Sequence, residues 1–304
     1  MKLEFTTIKA PVKLCLYDTI SRGKTLSFLN DCDKAALQQN KPIIIDLKHL
    51  EFYSASASVL LLSSIHRIRF CGSYKNVRLN VKIIPPLEPK IKGLFSSTGL
   101  LTAMNGISAD SFEQLYFIGS NYLTGNDPIT DMGKLVRHIC DKYMLDKLPK
   151  RLSAAINEGM LNVLHHAYTK DYHNFLYRRW WSCVQIVEDE SGSKHLQCII
   201  LDRGVGIVNN IKKGFPESSH KWQLDENSAL TYAMEQGISS TRISGRGQGS
   251  EDMKHPILSE NNTDYFTVIS SKVEVRFEND DIYCHSYPNT IGATIIEWSL
   301  QFYE

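Results

Sequence analysis

The sequence predicts an α/β protein in two parts. Three observations carry that expectation. Short apolar runs alternate with helical stretches through the first hundred residues, as in KPIIIDL, SASASVLLLSSIHRIRF and VRLNVKII. The stretch 151–168, RLSAAINEGMLNVLHHAY, places Leu152, Ala155, Ile156, Met160, Val163, Leu164 and Ala167 at helical spacing, so an amphipathic helix opens the second half. Two strand-like runs then follow, RRWWSCVQIVED and KHLQCIILDRGVGI, separated by the turn-forming DESGSK.

Composition sets the outer bounds. The chain has 304 residues, enough for one large domain or two ordinary ones, and 42% of them are hydrophobic, enough for a substantial core. A formal charge of +1 gives no overall field toward nucleic acid or acidic lipid. The seven cysteines include no CxxC pair and read as free thiols of a reducing compartment, which argues against a zinc site. The opening MKLEFTTIKA lacks the long apolar region of a signal peptide, and no run reaches transmembrane length. The expected setting is cytoplasmic, with no membrane and no clear nucleic-acid partner.

Taken in order, residues 1–20 suggest a strand or hairpin ending in PVKLCLYD. Ser21 to Lys24 reads as a polar turn, and SRGK lacks the full glycine-rich loop of a phosphate site. A helix is expected over 25–39. KPIIIDL is a buried strand entered at Pro42 and left at Asp46. Over 54–70 a loop leads into a helix that Ser54 or Ser56 could cap. VRLNVKII is a further strand stopped by Pro85 and Pro86, and IKGLFSSTGLL a short helix and turn.

The stretches IIIDLKHLEFYSASASVLLL and KGLFSSTGL resemble the STAS family of anti-anti-sigma factors. That resemblance implies a small α/β docking domain over 1–108. The family's Asp-Ser-Ser-Gly matches Ser54, Ala55, Ser56 and Ala57, so its phosphorylatable serine falls on Ala55 and its aspartate on Ser54.

Residues 109–129 form a linker or bridging segment in which FEQLYFIG suggests a strand and TGNDPIT a loop. DMGKLVRHICDKYMLDKL reads as a helix stopped near Pro149; its His138 has no adjacent acidic residue in the place a phosphoacceptor needs, so a packing or surface role is expected. The second domain spans 130–304. On its opening helix Glu158, Asn162 and His166 stand four apart, which aligns a carboxylate, an amide and an imidazole on one face. Such a row could handle water, a metal and an anion, or be a plain solvated stripe. Trp180 and Trp181 fit sheet packing. In ILDRGVGI, Asp202 could accept an adenine amino group, while Gly204 and Gly206 permit a tight turn or a close approach to a flat ring. A charged stretch, 212–227, precedes ALTYAMEQG, a short helix ending at Gly237. SGRGQGS holds Gly245, Gly247 and Gly249, whose backbone N–H groups could cradle phosphates, with Arg246 adding charge. The late strands YFTVISSKVEVRF and TIGATIIEWSL follow, the second holding Gly292, Ala293 and Thr294.

The order of these boxes resembles the GHKL ATPase superfamily, which holds gyrase B, MutL, sensor histidine kinases and anti-sigma kinases. The resemblance covers residues 130–301 and implies a two-layer α/β sandwich binding ATP and Mg2+. By position it implies that Asn162 ligates Mg2+, Glu158 activates water, His166 lies near phosphate and Asp202 binds adenine. Gly204 and Gly206 would then shape the base pocket, Gly245, Gly247 and Gly249 the phosphate loop, and Thr294 the adenine edge. Residues 208–244 would form the lid. Ser250 departs from the usual apolar residue, and Pro256 interrupts the helix expected after it. Arg203 replaces a more usual asparagine, with its side chain expected to point away from the ring.

Three functions follow as expectations: slow ATP hydrolysis as a conformational switch, phosphorylation of a serine on a partner protein, or ATP sensing without turnover. A partner protein or self-association is expected through the STAS-like domain or the ATP lid.

Overall fold

The computed structural model describes residues 4–71, 81–106, 119–169, 171–189, 191–214, 224–234, 249–257, 263–279 and 281–302. The fold is mixed α/β. It divides into two compact units, Met1–Thr124 with His173–Leu176, and Gly125–Tyr172 with Tyr177–Glu304. Among the described residues, no helix is long and apolar enough to cross a membrane.

The first unit is built on parallel pairing. Strand β1 (Thr6–Lys9) pairs with β3 (Ile43–Asp46), which pairs with β5 (Val81–Ile84), all parallel. The short β2 (Lys13–Leu14) pairs in parallel with β4 (Phe52–Tyr53). The opening residues are therefore not a hairpin: each strand finds a partner later in the chain. Helix α1 (Thr19–Asp33) starts where Asp18 accepts the Ser21 N–H, and a π-helical turn, Lys34–Gln38, extends it. The polar turn expected at Ser21 to Lys24 lies inside this helix. Its polar residues disguise a buried face, since Arg22 is 0% exposed. Helix α2 (Ala55–Cys71) begins with Ser54 Oγ accepting the Ala57 N–H, so of the two candidate caps, Ser54 and Ser56, it is Ser54 that caps. Ser56 is fully buried against the Tyr17 hydroxyl, and Ser58 binds the Tyr122 hydroxyl. Helices α3 (Pro89–Ser97) and α4 (Leu100–Asn105) meet at Gly99, whose φ of +74° suits glycine. The strand expected at FEQLYFIG lies mostly outside the described residues, and strand β6 (Tyr122–Gly125) ends where the division into units falls.

The second unit is antiparallel. Strands β7 (Trp180–Glu188) and β8 (Lys194–Asp202) form the expected hairpin. Further along the chain, β9 (Tyr265–Glu278) and β10 (Asp281–Gln301) complete the neighbour order β7-β8-β10-β9. Helix α5 (Pro128–Tyr143) begins within the stretch expected as a loop, because Pro128 is well suited to a first helical turn. Asp131 in that turn accepts the Trp180 indole N–H, tying α5 to the sheet. Helix α6 (Leu152–Asn162) lies on β8 and β10. A side chain at Gly159 would meet Ile200 at 3.2 Å and Trp298 at 3.4 Å, so glycine sets the closeness of helix and sheet. The elements between β8 and β9 are α7 (Ile207–Gly214), α8 (Glu226–Met234) and α9 (Gly249–Lys254), the last continued by a 3-10 turn, His255–Ile257.

Strand β9 is two limbs. Phe277 stacks on Phe266 with ring centroids 5.7 Å apart, and the Arg276 guanidinium lies 3.9 Å over the Tyr265 ring. A straight strand would hold such pairs about 36 Å apart at its usual rise. The reversal comes at Ser271, where φ is +56°, and the ladder with β10 shifts register between Ser286, Ile291 and Thr294.

Candidate functional site

The row expected on the opening helix falls on two kinds of helical turn. Glu158 and Asn162 stand on α6, partly buried, beside the apolar face of Ala155, Ile156, Gly159 and Met160. The α-helix ends at Asn162. Residues Val163–Ala167 form a π-helical turn that carries His165 and His166. One uniform α-helix to residue 168 is therefore corrected: the chain is widened where it meets the sheet. His166 is partly buried, with its ring centroid 6.1 Å from that of His165.

The end of this helix is fastened to the end of β8. Val205 N–H donates to Ala167 O at 2.7 Å. A Cβ at Gly204 would lie 1.9 Å from that carbonyl oxygen, so only glycine fits. Gly206 has φ +83°, and its α-carbon faces the Ser270 hydroxyl, which also accepts the Ile207 N–H at 3.0 Å. The two glycines thus do different things: the first permits contact with the helix, the second permits the turn.

Asp202 is the last residue of β8. In the ladder it faces Trp180 on one side and Thr294 on the other, and Thr294 in turn faces Ser270. Its carboxylate is 6% exposed and accepts the Gly204 N–H at 2.8 Å. Burial pushes its pKa up to about 6, against the opposing pull of that N–H, the Thr294 hydroxyl and Arg203. Arg203 turns to the Gly292 carbonyl, while its own N–H donates to the Tyr168 hydroxyl at 2.9 Å. That hydroxyl donates to Arg179 O, and its burial raises the Tyr168 pKa well above the usual value. Tyr172 stands edge-on to Tyr168, centroids 5.0 Å apart.

On the other flank, α9 packs on α6. Asn162 Nδ2 donates to Met253 Sδ at 3.6 Å, and the Trp298 indole N–H donates to Met253 O at 2.8 Å. Burial raises the Glu158 pKa, and the charge of Asp252 adds to the rise. Asp252 is itself paired with His255 Nδ1 at 3.2 Å. Gly245, Arg246 and Gly247 lie outside the described residues. Gly249 opens α9, and Ser250 is 9% exposed. The interruption expected at Pro256 appears as the 3-10 turn.

The structure therefore brings Asp202, Gly204, Gly206 and Thr294 together and joins them to the π-helical turn that bears His166 and continues the helix of Glu158 and Asn162. Among the described residues, no group of three or more His, Cys, Asp or Glu side chains is arranged to hold a metal ion. Sequence reasoning missed Ser270, Met253 and Asp252, whose roles depend on elements distant in the chain. Tyr168, also missed, carried a signal, since it closes the same helical stretch. No protein-family model matches the chain, and comparisons with the curated proteins and with the solved structures also find no match.

Proposed function

We propose that the chain is a Mg-ATP-binding regulatory protein of the GHKL kind, with a STAS-like module before it, and that it hydrolyses ATP slowly as a conformational switch. The observation that carries this reading is Asp202. It is a buried acceptor at a strand end, braced by Gly204 and Thr294, and Gly204 locks it to the helix bearing Glu158 and Asn162. A buried carboxylate favours a ligand that donates a hydrogen bond to it, as the amino group of adenine does, over one that cannot.

The side chains on the helix suit the phosphate end. The donors are hard oxygens, an amide at Asn162 and a carboxylate at Glu158, which fit Mg2+ rather than a soft metal. Mg2+ held largely by phosphates and water needs few protein oxygens, and Asn162 would supply one. Bound there, the ion would neutralise phosphate charge. Glu158 would take a proton from water as the water oxygen bonds to the γ-phosphorus and ADP leaves. Its raised pKa makes it a better acceptor than an ordinary exposed carboxylate.

The same base would serve transfer to a serine hydroxyl on a partner. The serines beside Ala55 are poor acceptors in cis: Ser54 caps α2 and Ser56 is 0% exposed. A kinase reading therefore requires a substrate in trans, and the STAS-like unit is the proposed docking or self-association module.

The test is phosphate release from Mg-ATP, with ATP binding followed in parallel, for the wild type, Glu158→Ala and Asn162→Ala. The expected result is release lowered about 100-fold in Glu158→Ala with binding retained. Binding without release in the wild type would favour the kinase or the sensor. No binding with or without Mg2+ would overturn the nucleotide reading. Sedimentation of the ligand-free and Mg-ATP forms tests self-association, and identical profiles would remove it.

A further inference from the structure

We infer that Met253 is a positioning residue that sets the orientation of the Asn162 amide, turning its oxygen away from α9 and leaving it open to a divalent cation. The inference rests on the nucleotide reading for its purpose, but its geometry stands in the ligand-free chain. A side-chain amide has one donating end and one accepting end, and the two can exchange by a half-turn. A thioether sulfur has lone pairs and no hydrogen to donate. Met253 Sδ, 3.6 Å from Asn162 Nδ2, can therefore engage only the NH2 end. With that end facing α9, Oδ1 occupies the opposite side.

Met253 itself is held by contacts that do not involve Asn162. Met253 is 3% exposed, and its carbonyl accepts the indole N–H of Trp298, which is 0% exposed. Trp298 stacks on Phe266 with centroids 5.6 Å apart, so the anchor reaches the sheet core. Both neighbours of Met253 are charged: Asp252 is paired with His255, and Lys254 with Glu251. Met253 is thus the apolar point at which this short helix enters the core, and its one polar atom meets the amide. An oxygen acceptor at 253 would bind the same NH2 end but would carry a larger cost of burial.

The variant that isolates the sulfur is Met253→Leu, which keeps an apolar side chain of similar volume and removes the acceptor. The first readout uses no nucleotide. The Asn162 side-chain amide signals of 15N-labelled protein are assigned by their loss in Asn162→Asp. Met253→Leu is expected to shift them and to narrow the difference between their two proton shifts. The second readout is the Mg2+ concentration needed for half-maximal enhancement of ATP binding, expected to rise roughly tenfold, with binding in EDTA unchanged. Norleucine incorporated at 253 repeats both measurements without the branched side chain, should Met253→Leu fail to fold. Unchanged amide signals in a folded variant would overturn the inference. So would a Mg2+ requirement that Met253→Leu leaves unchanged when the wild type binds Mg-ATP. If the wild type binds no nucleotide, the proposed function fails, while the amide signals still decide the orientation.

Discussion

The strand end at Asp202 and the outer face of α6 are parts of one candidate site made in opposite ways. At the strand end the contacts are largely backbone: Ala167 O against Gly204, Val205 N–H on that same oxygen, and Gly204 N–H on the carboxylate. On the helix face, Glu158 and Asn162 are partly exposed and meet a six-residue helix through side chains. The difference teaches which half tolerates change. Backbone contacts at 204 leave no room for a substituent, whereas trimming Glu158 or Asn162 on α6 removes only side-chain contacts at a partly exposed face.

The comparison is broken most directly at Gly204. Gly204→Ala drives a methyl into the Ala167 carbonyl, and a loss of roughly 3–5 kcal/mol is expected in urea denaturation. Glu158→Ala and Asn162→Ala, measured in the same way, are expected to stay within about 1 kcal/mol of the wild type. Equal losses in both regions would erase the distinction.

Asp202 sharpens it, because the same carboxylate weakens the fold near neutral pH. Its folded pKa of about 6 lies above the ordinary value of 3.8, so the native chain holds this proton more tightly than the unfolded chain does. That advantage is complete below about pH 4 and is lost as pH rises through 6, a change of roughly 3 kcal/mol. Asp202→Asn is expected to be more stable than the wild type at pH 7.5, with the difference shrinking toward pH 4. The same variant is expected to lower ATP affinity about 100-fold or more. A variant less stable at pH 7.5 would show that the carboxylate's hydrogen bonds outweigh its burial.

A loss smaller than that at Gly204 is expected at Tyr168. Tyr168→Phe removes both the acceptor for Arg203 N–H and the donor to Arg179 O. A loss of about 1–3 kcal/mol is expected for leaving buried groups unpaired, read as a lower denaturation midpoint with an unchanged slope.

Much of the architecture was legible because local pattern and fold agreed. The hairpin of β7 and β8, the cap at Ser54 and the helix over 152–162 follow from apolar spacing and turn chemistry. The parallel pairing of β1 with β3 was not legible, since a short strand gives no sign of which later strand it joins. The helix through Ser21 to Lys24 was hidden because Arg22, polar by type, is buried. At the site, glycines and an aspartate marked the strand end. The π-turn at Val163–Ala167 left no trace, because one added residue per turn barely disturbs a short apolar pattern. Met253 and Ser270 were invisible for a different reason: each acquires its role only when distant segments meet.

The reversal within β9 bears on solubility. A fourteen-residue strand at the end of a neighbour order would ordinarily present a ladder on which another molecule could build a fibre. Here Tyr265 and Phe266, whose side chains point to opposite faces, are met by Arg276 and Phe277 of the second limb. The reversal at Ser271 thereby offers an incoming strand two short limbs in place of one straight fourteen-residue ladder.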